Sequence, residues 1–329
     1  MEQRILGQNL KVSAIGYGAM GLSGTYGKAD DVQSIKLLET AFDLRVNFFD
    51  TADCYGNGHN ETLLGKAFFK KRDQVIIATK ASLTWDPDKP NHLIVNNTPQ
   101  YLKKACEASL RRLNTDYIDL YYLHRIDPNV SIEESIGALS ELVKEGKIRH
   151  IGLSEASPNT IRKAHLVHPL TAIQSEYSLW TRDVEYNGVL KTCNDLNIGF
   201  VPYSPLGRGF LTGAIKDKKQ FEEHDFRRIL PRFQDENIMS NLELLEQLKN
   251  LAISRKLTIA QLSLAWILTR GDNIVPIPGT KTLERLKENI FSETIRLSCD
   301  DIEILDTFFS VEDVKGERYT ESLMKTVDH

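Results

Sequence analysis

The chain has 329 residues, 41% hydrophobic and 26% charged, which is enough apolar material for a large core and too much for a disordered segment. A net charge of −4 leaves no overall positive surface for nucleic acid or an anionic membrane. The four cysteines, Cys54, Cys106, Cys193 and Cys299, form no CxxC pair, which argues against a zinc site or a disulfide framework. The opening MEQRILGQNLKVSAIGYGAMG has no signal core, and no apolar run approaches the roughly 20 residues of a membrane helix, so the expected location is the cytoplasm.

In chain order, the first element is a short hairpin, with Arg4-Ile5-Leu6 and Leu10-Lys11-Val12 flanking Gly7-Gln8-Asn9. Apolar runs at 14–17, 47–50, 75–80, 118–124, 150–154, 172–176, 199–204 and 273–276 then read as strands. Segments at 31–44, 61–69, 100–113, 132–145, 158–167, 189–196, 258–269 and 283–289 carry the helical period. Runs such as VIIATK and IDLYYLH are apolar at successive positions, as strands buried on both faces are. Eight strand–helix units are the number that closes a parallel (β/α)8 barrel. The expected fold is one α/β barrel domain over 1–329, with the barrel at about 13–290 and a C-terminal helix and tail at 291–329. Two additional helices, at 242–254 and 300–309, fall outside the repeat, and a long charged stretch at 214–237 reads either as a cover over a site or as a solvated loop.

Gly16, Gly18 and Gly21 match GxGxxG after a strand. A dinucleotide-binding turn requires a helix to begin inside that motif. Here LSGTYGKAD follows and the first helix start is Asp30 or Asp31, so the segment reads as a strand and a flexible loop.

Active sites of such barrels lie at the C-terminal ends of the strands. Asp50 ends the second strand, Tyr55 follows in its loop, Lys80 ends the third and His124 the fourth. Each has a plain alternative (a helix-capping aspartate, a loop aromatic, a solvated lysine, a satisfied histidine), and it is their joint position that favours a site. Carbonyl reduction needs a proton donor at the oxygen, a task a phenol can perform. At ~4 Å and a dielectric near 20, a lysine ammonium attracts a phenolate by about 4 kcal/mol. That attraction would lower a phenol pKa of about 10 by up to about 3. Asp50 would serve as counter-ion to Lys80, and His124 would donate to the carbonyl oxygen. No histidine lies in an HExxH pattern, and no metal is expected.

FFDTADCYG, the lysine ending VIIATK and the histidine ending DLYYLH resemble the signature elements of the aldo-keto reductases. GLSEAS at 152–157, Gln174 in AIQSEYS, VPYSPLGRGFLTG at 201–213 and IVPIPGTKTLERLKEN at 274–289 extend the likeness over about 4–309. The resemblance implies a TIM barrel that binds NADPH/NADP+ across its mouth, with Asp50, Tyr55, Lys80 and His124 as the catalytic set. It implies that Ser154 and Gln174 hold the nicotinamide carboxamide and that Tyr203 stacks on the ring. It places Ser204, Leu206, Gly207 and Gly209 around the pyrophosphate and Gly279, Lys281, Arg285, Glu288 and Asn289 around the adenosine half. Lys281 and Arg285 would together meet a 2′-phosphate. Many members carry asparagine where this chain has Glu155, which leaves that residue's role open, as it is for Cys54. Tyr26, Trp85 and the tail around Tyr319 are candidates to line the substrate pocket.

The expected partner is a small carbonyl compound, with neither nucleic acid nor membrane. Two other functions suit the same residues: a Schiff-base aldolase with Lys80 as nucleophile, and a channel-type regulatory subunit that binds NADPH without appreciable turnover.

Overall fold

The fold is described from a computed structural model that covers residues 1–85, 93–310 and 312–328. Strands β1 (Gln3–Leu6) and β2 (Leu10–Ser13) form the antiparallel hairpin. Seven parallel strands follow: β3 (Tyr17–Gly18), β4 (Phe48–Asp50), β5 (Ile76–Ala81), β8 (Ile118–Leu123), β9 (Ile148–Ser154), β10 (Ala172–Glu176) and β11 (Gly199–Tyr203), hydrogen-bonded side by side in that order. Residues 273–278 close the ring. The N–H groups of Val275 and Ile277 donate to Phe200 O and Pro202 O (2.9 and 3.1 Å), and the carbonyls of Pro276 and Pro278 accept from Gly16 and Gly18 (2.9 and 3.4 Å). Both residues facing β3 are prolines and have no N–H to donate, so the eighth strand pairs incompletely on that side. The chain is a (β/α)8 barrel.

Inside the barrel, Phe48, Ala78, Leu120, Ala172, Val201 and Val275 pack together, and Leu6, Leu10 and Val12 of the hairpin close the floor beneath them. Gly199 admits the hairpin, since a Cβ there would lie 2.5 Å from Leu6. A second, larger cluster lies between the strands and the surrounding helices.

The helices begin where the sequence supplies caps. Asp30 caps α1 (Asp31–Asp43), and Gly58 precedes α2 (His59–Phe68). Pro99 opens α3 (Pro99–Leu113) and Ser131 caps α4 (Ile132–Lys144). Ser157 followed by Pro158 starts α5 (Pro158–Val167). After α6 (Asp183–Tyr186) and α7 (Val189–Asp195) comes α8 (Asp235–Ser254). Thr258 and Gln261 form a capping box on α9 (Ile259–Leu268), and Thr282 caps α10 (Leu283–Phe291). The last helices are α11 (Cys299–Thr307) and α12 (Glu321–Met324).

Three features depart from the sequence expectation. An antiparallel pair, β6 (Leu83–Trp85) and β7 (Leu93–Val95), stands in the loop after the third barrel strand. The helix expected from 242 starts at Asp235. The 214–237 stretch is neither plain loop nor extended chain, but includes single 3₁₀ turns at Lys218–Gln220, Phe226–Ile229 and Pro231–Phe233. Among the described residues, no single helix is long and apolar enough to cross a membrane.

Candidate active site and cofactor groove

The ladder registers carry three of the four proposed catalytic residues to one rim. Asp50 is the last residue of β4, Lys80 sits opposite Tyr122 near the end of β5, and His124 directly follows β8, its N–H donating to Ala81 O (2.7 Å). Tyr55 is delivered by the turn after β4, where Gly56 and Asn57 adopt left-handed backbone (φ 56° and 52°). A Cβ on Gly56 would lie 2.9 Å from Cβ of Ser23, so glycine is needed there on two counts.

The four side chains form one cluster. Lys80 is fully buried, and its ammonium donates to Asp50 Oδ1 (2.5 Å) and Thr51 O (2.7 Å). Asp50 Oδ2 accepts from Gln174 Nε2 (2.8 Å). Lys80 Nζ lies 5.2 Å from the centre of the Tyr55 ring, and the Tyr55 and His124 rings meet edge to face at 5.7 Å. Nδ1 of His124 lies 3.6 Å from Cys54 Sγ.

Electrostatics differ from the sequence expectation at Tyr55. Burial, with Asp50 adding to it, holds the phenol well above its ordinary value rather than below it. The Lys80 charge is taken up by Asp50, so the phenol faces a nearly neutral pair rather than a lone cation. Burial also pushes Asp50 up against the pull of Lys80 and Gln174. It drives His124 well below the usual histidine range, helped by Arg125 and Lys80, so the imidazole is neutral. Burial raises the Cys54 thiol to about 12.

A cavity of about 550 Å³ runs from Tyr55 and Asp50 across the mouth to α10. Of the residues that the resemblance sets around a cofactor, Gln174, Tyr203, Ser204, Leu206, Gly209, Gly279, Lys281, Arg285, Glu288 and Asn289 line it. Two expected members do not. Ser154 is buried beneath it, its hydroxyl 3.4 Å from Arg125 Nη1. Gly207 turns inward, where a Cβ would lie 2.8 Å from the Trp180 ring. Tyr26 lines the cavity, with Arg208, Arg227 and Lys281 for neighbours. The Trp85 side chain lies outside the described residues. Lys281 is not poised alone for a phosphate: its ammonium donates to the carbonyls of Tyr26 (2.9 Å) and Lys28 (3.0 Å).

Sequence reasoning missed Arg208 and Arg227, which also line the cavity. Arg208 is paired with Glu176 (2.8 Å) and Arg227 with Asp225 (2.6 Å). Within the 214–237 stretch, Gln220, Phe221 and Arg227 face the cavity. The stretch reaches the loop after β3, where Phe226 N donates to Thr25 O (3.1 Å) and Lys28 N to Glu222 Oε2 (3.3 Å). It therefore spans the groove.

Glu155, the departure from the family pattern, adopts left-handed backbone (φ 53°) at the end of β9. It accepts both arms of the Arg318 guanidinium (3.0 and 2.6 Å) and the N–H of Glu176 (3.0 Å). Against the upward push of burial, Arg318 holds its carboxyl at about 2.

The family model for the Aldo/keto reductase family matches residues 14–309. The chain belongs to the aldo/keto reductase family. A probable aldo-keto reductase from Glycine max is 43% identical over 325 residues, covering 96% of this chain and 91% of that one. Among solved structures, a glycerol dehydrogenase from Gluconobacter oxydans aligns with a TM-score of 0.83 at 27% identity, covering 99% of this chain and 96% of the other. The holo form of an aldo-keto reductase from Bacillus halodurans aligns at 0.76 with 26% identity, covering 98% and 99%. As a member of this family, the protein is an oxidoreductase of carbonyl substrates, and a nicotinamide cofactor is the family's redox partner.

Proposed function

We propose that the protein reduces small aldehydes or ketones to alcohols with NADPH, acting as one barrel domain in the cytoplasm. The observation that carries this reading is the convergence of Tyr55, the Lys80–Asp50 pair and His124 at one end of a groove whose other end bears Lys281 and Arg285. The groove's lining fits a dinucleotide: it holds Gln174 and Tyr203, the glycines Gly209 and Gly279, and the cations Lys281 and Arg285. When bound, NADPH supplies the hydride.

The chain's own residues then handle one proton and the position of one oxygen. A phenol held above its ordinary value is protonated at neutral pH, the state a proton donor needs. Tyr55 gives that proton to the carbonyl oxygen as the carbon takes up two electrons, and it regains a proton from solvent. Lys80, fixed by Asp50 and Thr51, holds its Nζ 5.2 Å from the centre of the ring where phenolate charge develops. His124 is neutral and its Nδ1 is taken up by Cys54, a thiol that keeps its proton, so Nε2–H is left to donate to the carbonyl oxygen. The buried ion pair also weighs against an aldolase, because a Schiff-base lysine must present a free, neutral amine.

The test is steady-state oxidation of NADPH by a carbonyl panel, with cofactor fluorescence titration. Tyr55→Phe and Lys80→Met should each abolish most turnover while NADPH still binds. Wild-type turnover in Tyr55→Phe sinks the assignment. Tight NADPH binding with negligible wild-type turnover across the panel favours the regulatory-subunit reading.

A further inference from the structure

Residues 315–328 form a strap tied at both ends, from α8 to the end of β9. At one end, Lys315 N donates to Asn241 Oδ1 (2.9 Å), Asn241 Nδ2 donates to Lys315 O (3.0 Å), and Arg232 Nε donates to Gly316 O (3.1 Å). At the other, Asp328 N donates to Glu155 O (3.1 Å) and Ser157 N donates to Asp328 Oδ2 (2.8 Å). Between the two ends, Arg318 makes its two-armed pair with the buried Glu155 carboxylate, and Tyr319 beside it is buried.

Neither Arg318 nor Tyr319 lines the groove, but both stand behind residues that do. The Tyr319 hydroxyl lies 2.9 Å from the Tyr203 hydroxyl, and Arg318 Nη1 donates to that same Tyr203 oxygen (3.4 Å). Among the described residues, these two are the hydrogen-bond partners of the Tyr203 hydroxyl, and both belong to the strap. The Tyr319 ring also faces the Arg208 guanidinium, 5.1 Å from the ring centre. Tyr203 and Arg208 both line the groove. Arg208 has a second tie in Glu176 (2.8 Å), whereas the polar end of Tyr203 has only the strap.

We infer that the strap presets one wall of the groove: Tyr319 and Arg318 are positioning residues that hold the Tyr203 ring, through its hydroxyl, in the orientation a bound cofactor meets. A wall fixed before the ligand arrives spares binding the cost of ordering it. Glu155 is the anchor of this arrangement. A guanidinium as buried as that of Arg318 needs a partner carboxylate, and Glu155 supplies it from the end of β9. The inference rests on the reading of the groove as a cofactor site.

The test is a double-mutant cycle, read by fluorescence titration as the dissociation constant of NADPH or NADH, whichever binds wild type more tightly. Tyr319→Phe should raise that constant by about 3- to 10-fold. Arg318→Met should raise it at least as much. Arg318→Lys keeps the charge but loses the two-armed geometry, so it should fall between Arg318→Met and wild type. In a Tyr203→Phe background the hydroxyl through which the strap acts is gone, so adding Tyr319→Phe should raise the constant by less than about 2-fold more. A strap that merely stabilised the fold would make the two effects multiply in full. Where Arg318→Met does not fold, Tyr319→Phe, which removes a single oxygen, carries the cycle. An unchanged constant in Tyr319→Phe, or effects of the two tyrosine variants that multiply, overturns the inference and leaves the reductase reading standing. A wild type that binds neither cofactor overturns both.

Discussion

Gln174, at the middle of β10, donates through Nε2 to Asp50 Oδ2 (2.8 Å), joining a residue that lines the groove to the carboxylate that holds Lys80. Asp50 thus has both oxygens engaged by buried partners, one cationic and one neutral. The groove wall and the proton-handling cluster share a residue, and a change at either is expected to reach the other.

Gln174→Leu should therefore act twice. It leaves Asp50 Oδ2 buried without its donor, at a stability cost of about 1–3 kcal/mol by urea unfolding. It should also weaken cofactor binding, read by fluorescence titration. A variant as stable as wild type would mean that the bond to Asp50 contributes nothing net.

Asp53 is expected to destabilise the protein at alkaline pH. Burial, with Glu61 beside it, pushes its carboxyl up to about 8, and its Oδ1 is buried without a partner among the described residues. Between the ordinary value of 3.8 and about 8, the folded chain holds a proton that the unfolded chain has released. The stability attached to that proton is full below the lower value and is lost as pH rises through the upper one. Asp53→Asn should be more stable than wild type at pH ~8.5 by roughly 1–3 kcal/mol and near wild type at pH ~4.5. The same difference at both pH values would exclude a titrating Asp53.

Glu155 runs the opposite way. Its carboxyl lies at about 2, below the ordinary 4.5, so its contribution is present above 4.5 and lost as pH falls toward about 2. The tail held by Arg318 should become protease-sensitive across that acid range in wild type. In Glu155→Gln it should be sensitive already at neutral pH. Acid-stable proteases and mass spectrometry of the released tail would measure this, and a tail equally protected in both proteins would count against the pair.

Much of this architecture is written in the sequence because it repeats. Consecutive apolar runs, caps such as Asp30 and Ser157, and polar residues at strand ends each leave a local mark, so Asp50, Tyr55, Lys80 and His124 can be placed without coordinates. Partnerships between distant side chains leave none. Glu155 and Arg318 are 163 residues apart, and Asp50 and Gln174 are 124 apart. Residue types alone suggest that Lys80 lowers the Tyr55 pKa. Asp50 can be read as the counter-ion of Lys80 from the sequence, but the closeness of their contact cannot. Pro276 and Pro278 hide the eighth strand's pairing, and the 3₁₀ turns over 218–233 have too short a period to register in composition.

Cofactor choice should rest on Arg285 more than on Lys281. Both line the far end of the groove, but Lys281 already donates to the carbonyls of Tyr26 and Lys28 and so ties α10's approach to the loop after β3. Its loss should loosen the groove wall for either cofactor. Arg285 stands exposed in the first turn of α10, whose N-terminus adds its own favourable field for an anion. A charge-assisted hydrogen bond from Arg285 to a 2′-phosphate is worth roughly 1.5–3 kcal/mol, whereas the uncharged ribose hydroxyl of NADH offers it little. Arg285→Ala should then weaken NADPH by about 10- to 100-fold and leave NADH nearly unchanged, while Lys281→Ala weakens both by similar factors. Dissociation constants for the two cofactors in wild type and both variants decide it. A wild type that prefers NADH, or an Arg285→Ala protein that keeps the wild-type preference, would move the determinant elsewhere, with Arg208 and Arg227 the next cations along the groove.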